Sequence, residues 1–191
     1  MVSLHITGDA AADELLSTDP LALLFGMALD QQFPMEHAFL GPAKLVDRLG
    51  SLDARTIAEA DPEQFAAVCA QPPAVHRFPG SMAQKLQGIA RVVTDEYAGD
   101  ASRIWTEAHD GADLLKRVQA LPGFGKQKAQ IFVALLAKQL GVRPEGWERA
   151  VGAYSEEGYR SVADVVDAAS LQKVRDHKKE MKAAAKAAKA G

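Results

Sequence analysis

Cysteine is almost absent from this chain, which holds a single one, Cys69, among 191 residues. That count excludes an internal disulfide and any metal or iron–sulfur cluster held by several thiolates. Cys69 falls beside Phe65 and Val68 on a predicted helix from Asp61 to Ala70, where a buried structural thiol is expected. Long apolar runs are missing too, since nothing approaches the ~18 residues that a membrane span needs. The start, Met1-Val2-Ser3-Leu4-His5, lacks the basic residues and apolar run of a secretory leader, so a reducing cytoplasm is the expected location. His5, His37, His76, His109 and His177 are scattered rather than set at ligand spacing. No metal and no cofactor are expected.

Strand signals are equally scarce, because no run alternates apolar and polar residues convincingly. Helix signals recur instead. Asp61-Pro62 reads as a cap and first-turn proline, Ser51 or Asp53 can cap a short helix through Ile57, and Asp110 can cap Ala112 to Ala120. Met82, Leu86, Ile89, Val93 and Tyr97 fall on one face between Gly80 and Tyr97. Ala129, Phe132, Val133 and Leu136 give the next stripe, with Gly141 as its stop. Pro34 and Pro42 are expected to flank a short helix, and a final helix is predicted from Ser170 through Met181, followed by a fraying basic tail. The class is all-α, with short connections.

Acid is what the middle of the chain lacks. The net charge is −3, which argues against global attraction to nucleic acid. Yet Leu114 to Pro144 contains no Asp or Glu, while carrying Lys116, Arg117, Lys126, Lys128, Lys138 and Arg143. Either a solvated face or a phosphate-contacting one fits that cluster. Within it, Asp113 to Leu140 reads as helix, tight turn, helix. The turn is Leu121-Pro122-Gly123-Phe124-Gly125: Pro122 stops the first helix, and the glycines permit positive φ and close backbone approach. The second helix, starting near Lys126, presents amides without intrahelical partners and the positive end of its dipole. An anion suits that place, and backbone donors make a DNA phosphate acceptable whatever the base sequence.

The segment from Leu121 to Ala129 resembles the hairpin of the helix–hairpin–helix (HhH-GPD) superfamily of base-excision DNA glycosylases, where it grips a phosphate. Leu23-Leu24-Phe25-Gly26-Met27-Ala28-Leu29-Asp30-Gln31-Gln32 is similar to that family's early helix, and Gly80 to Ile89 to the helix preceding the hairpin. The resemblance covers roughly Pro20 to Leu140. It implies a two-lobed all-α fold, with residues 20–135 forming a central lobe that includes the helix–hairpin–helix (112–140), and residues 1–19 joining 136–191 in the second. It also implies double-stranded DNA as the partner; a monomer, nucleoid-associated in the cytoplasm, is the expectation. Gly123, Phe124, Gly125, Lys126, Gln127 and Lys128 would meet the duplex, with Arg77 as a further phosphate contact. Gln31 and Gln32 would form a wedge that fills the gap left by a flipped base. Their bland alternative is a pair of solvated residues ending a helix.

Breaking an N-glycosidic bond builds positive charge on the sugar, so a fixed carboxylate is the expected stabiliser. The family supplies an aspartate about twenty residues beyond the hairpin's second glycine, in a Val-Asp-Thr-like segment absent here; the counted position is Glu145, with Glu148 or an ordinary solvated turn residue as the alternatives. The position of the family's strand-cleaving lysine is Gln127, which cannot form a Schiff base. The resemblance therefore implies a monofunctional glycosylase, with a noncatalytic DNA-binding protein as the alternative. Trp147, Phe33, Phe78, Tyr154 and Tyr159 are candidate stacking surfaces or ordinary core aromatics.

Overall fold

A computed structural model describes residues 2–191, and among these every regular element is helical. The first three helices are α1 (Ala10–Thr18), α2 (Pro20–Leu29) and α3 (Met35–Leu49). Next come α4 (Ala54–Glu59), α5 (Pro62–Ala70), α6 (Pro79–Tyr97) and the single turn α7 (Arg103–Thr106). The hairpin pair is α8 (Gly111–Gln119) and α9 (Lys126–Leu140), followed by the short α10 (Trp147–Val151) and the long α11 (Ala168–Ala190). The caps lie where the sequence puts them: Asp53 on α4, Asp61 on α5, Asp110 on α8 and left-handed Gly141 after α9.

The centre of the fold is α2, whose residues Leu21 to Leu29 are all buried. A helix apolar on every side has to be covered on every side, and α1, α3 and α6 do so. Close approach to α3 depends on two glycines. A Cβ on Gly26 would lie 2.5 Å from the Phe39 ring, and one on Gly41 would lie 2.4 Å from Leu29. Pro42 does not end a helix here. It lies inside α3, beside Gly41 on the buried face, so the flanking role expected of it is corrected. Packing against α2 and the Val75 region outweighs the missing amide, a local penalty of about 3 kcal/mol.

Around α6, the Gln87 amide donates to the carbonyls of Ile57 and Ala60, and Arg91 donates to that of Ala58. These bonds fasten α4 to α6. On the other side, Lys44 and Arg48 of α3 donate to the carbonyls of Ala74, Val68 and Pro73. They hold the proline-rich loop that delivers His76 to the end of α2. Helix α11 begins at Ala168 rather than Ser170, because Asp167 caps it in a reciprocal box with Ser170. It continues to Ala190, and its last ten residues are exposed.

Candidate nucleic-acid interface

The hairpin tip is a rigid turn. Gly123 sits at φ 80°, a left-handed conformation natural to glycine. The Phe124 amide closes the turn on the Leu121 carbonyl at 3.1 Å. Phe124 is 3% exposed, and its ring packs edge-on to Phe132 at 6.0 Å. Burying such a ring contributes about 1.5–3 kcal/mol, so the Phe124 side chain anchors the hairpin from inside, and only its backbone faces the surface of the turn. Gly125 caps α9 without a side-chain bond, which leaves the first-turn amides of Lys126, Gln127 and Lys128 at an exposed helix start.

At the end of α2 the chain makes a tight exit. Gln31 and Gln32 are both exposed, and Gln32 is held at φ 52°. A non-glycine residue in that region stores about 1–3 kcal/mol of strain, held by its surroundings. His76 supplies part of that hold. Its Nε2 donates to the Gln31 carbonyl at 2.8 Å, and its Nδ1 accepts from the Phe78 amide at 3.0 Å. The two bonds fix a neutral ring protonated on Nε2. Burial pushes the His76 pKa below the ordinary 6.5; the Gln31 carbonyl opposes that shift, and Lys128, Lys85 and Arg77 reinforce it. Phe33 packs tilted against the same ring at 4.8 Å, half-buried, while Phe78 stays exposed beside it. Arg77 is exposed, with its guanidinium over Phe78.

Two lysines join this exit to the hairpin. Lys85 of α6 donates to Gln31 Oε1 at 2.9 Å, and its stem lies against Gly123, where a Cβ would meet it at 3.2 Å. Lys128 of α9 donates to the Ala28 carbonyl at 3.1 Å, capping the C-terminus of α2. Burial lowers its pKa to about 8, against the opposing pull of Asp30. The Asp30 side chain is only 9% exposed and stands 3.6 Å from Lys178 of α11; Arg175, one turn earlier, takes Glu36 at 3.1 Å. The three sequence blocks around Gln31, Lys85 and Gly123 thus meet at one surface. The roles of Lys85, His76 and Asp30 in it were not legible beforehand, since their partners are remote in sequence or lie on the backbone.

Other expected residues fall elsewhere. The carbonyl of Glu145 accepts from the Gly111 amide at 2.8 Å, and its side chain is exposed in a groove with Asp110 and Arg149. Gly111 opens α8 and the hairpin follows its far end, so about 13 Å of helix rise separates them. A Cβ on Gly111 would come within 2.5 Å of the Trp147 backbone, which fixes the Glu145 loop in place. What returns to the start of α9 is Tyr154, whose hydroxyl accepts from the Gln127 amide at 2.9 Å. Trp147 is core, while Tyr159 lies against Lys173. The acid-free stretch is not one basic face either. Arg117 pairs with Asp113, Lys138 with Asp164, and Arg143 donates to the Ala137 carbonyl.

Residues 25–190 match the family model of the HhH-GPD superfamily base excision DNA repair proteins. No curated protein and no solved structure matches the chain. Among the described residues no helix is long and apolar enough to cross a membrane, and no group of side chains could hold a metal ion. With its all-α hairpin fold and a match over most of its length, the chain belongs to the HhH-GPD superfamily of base excision DNA repair proteins.

Proposed function

We propose that this protein is a monofunctional DNA glycosylase: it flips a damaged or mismatched base from duplex DNA and hydrolyses its N-glycosidic bond. Lys85 carries the reading, because it touches both Gln31 and the hairpin glycine. A duplex phosphate on the α9 amides would then lie beside Gln31 and Gln32, which fill the space the base leaves. Lys126 adds a cation at the same end. Arg77, exposed next to Phe78, reaches a flanking phosphate. The seam between the two lobes, 20–135 and 1–19 with 136–191, receives the extruded base. The protein acts as a monomer on cytoplasmic, nucleoid DNA.

Lyase chemistry is not part of the reading. Gln127 has no amine and is bonded to Tyr154, while the Lys128 ammonium is occupied by the Ala28 carbonyl. Single-turnover incubation with duplexes carrying uracil, hypoxanthine, alkylated or oxidised bases tests the proposal. Strand breaks that need added alkali support it. Breaks without alkali, or a protein–DNA adduct trapped by borohydride, would contradict the monofunctional reading. The position of Glu145, a helix length from the hairpin, favours a second reading: a damage-binding protein without catalysis. Tight binding to an abasic analogue with no base release on any lesion would support that one.

A further inference from the structure

We infer that Asp30 is the carboxylate that stabilises the sugar cation in this protein, in place of one on the segment after the hairpin. The inference rests on the glycosylase reading and deepens it. Asp30 immediately precedes Gln31 and Gln32, the residues that on this reading replace the extruded base. Its side chain is 9% exposed, and Lys178 lies 3.6 Å away. On its other side, Lys128 of the hairpin helix ends on the Ala28 carbonyl, two residues earlier. Asp30 therefore lies close both to the glutamines, as their chain neighbour, and to Lys128 near the start of α9, on which its charge acts. Water is largely excluded there, and a charge acts strongly on a developing opposite charge. Glu145 has none of these neighbours and is exposed to solvent at the start of α8.

The step balances with water as the only co-reactant. The C1′–N bond breaks with its electron pair passing to the base, which takes up a proton. Positive charge spreads over C1′ and the ring oxygen, facing the Asp30 carboxylate. Water then bonds to C1′ and gives a proton to that carboxylate, which returns it to solvent. The products are a free base and an abasic sugar. Lys178 is half-exposed, and its long bridge to Asp30 can yield to a phosphate. Glu36, held by Arg175 at 3.1 Å, keeps the start of α3 against α11.

The test is single-turnover base release, on the lesion found to react, by four variants. Asp30→Asn keeps the size of the side chain and is expected to slow release by about 100-fold or more while still binding an abasic-analogue duplex. Glu145→Gln is expected to stay within about threefold of the parent, a change of only ~0.6 kcal/mol. Lys178→Met removes the ion-pair partner and separates roles: a purely structural Asp30 would make this loss as large as that of Asp30→Asn. Should Asp30→Asn fail to fold, Asp30→Glu keeps the charge but moves the carboxylate, and slowed release is again expected. Unchanged release by the folded Asp30 variants, or loss on Glu145→Gln alone, overturns the assignment. Absence of release by the parent on every lesion removes the glycosylase reading, and the assignment with it.

Discussion

Replacing Gly123 with alanine separates what the hairpin needs to fold from what it needs to bind. At φ 80° an L-residue costs about 1–2 kcal/mol. The new Cβ would meet Lys85 Cδ at 3.2 Å, and that flexible stem can retreat by a few tenths of an ångström. Gly99 provides the matched control, with φ 83° and nothing within 4 Å of its added Cβ. Both alanine variants should therefore lose about 1–2 kcal/mol of stability, read as a shift of the urea midpoint at unchanged slope. Only Gly123→Ala also crowds the approach of a phosphate to the first-turn amides of α9 and pushes on the Lys85 stem. Losing one charge-assisted hydrogen bond costs about 1.5–3 kcal/mol, which corresponds to about 10- to 150-fold in affinity. Fluorescence anisotropy on a labelled duplex at one fixed salt concentration measures it. If folded Gly123→Ala and Gly99→Ala bind duplex equally, the hairpin is not the phosphate site.

Gln32→Ala should spare binding to intact duplex yet weaken binding to a duplex holding an abasic analogue, since only the latter has a gap to fill; equal losses on both would refute the wedge. His76 gives a pH dependence. Its folded pKa lies below 6.5, so its contribution to stability is complete above that value and is lost as pH falls through the folded value. The urea midpoint should drop more steeply below about pH 6.5 for the parent than for His76→Asn, and parallel curves would contradict the assigned ring state. Gly111→Ala forces a Cβ into the Trp147 backbone at 2.5 Å and should destabilise by about 1–3 kcal/mol; a neutral change in thermal unfolding would show that the Glu145 loop moves freely.

Much of the fold was legible because its signals are local. Asp53, Asp61 and Asp110 announce their helices through their own side chains, and the stripe from Met82 to Tyr97 declares the buried face of α6. Pro42 misleads for the complementary reason: the local rule stops a helix there, but packing of Gly41 against Leu29 keeps α3 continuous. The basic stretch misleads in the same way. Asp113 lies one residue outside the acid-free window and takes Arg117, whereas Asp164 takes Lys138 from 26 residues away. A window of sequence cannot see such partners, so its charge overstates the free charge on the surface. The hairpin and the glutamine pair were legible as motifs, but their meeting through Lys85 spans 54 residues and exists only in three dimensions.

Hydrogen exchange of the full chain, with and without a duplex carrying an abasic analogue, tests that meeting most directly. The account predicts slowed exchange at three separated segments together: around Gln31 and Gln32, around Arg77 to Lys85, and at the first turn of α9 from Lys126. Protection confined to the basic end of α11 or to the Glu145 loop, with those three segments unchanged, would contradict it.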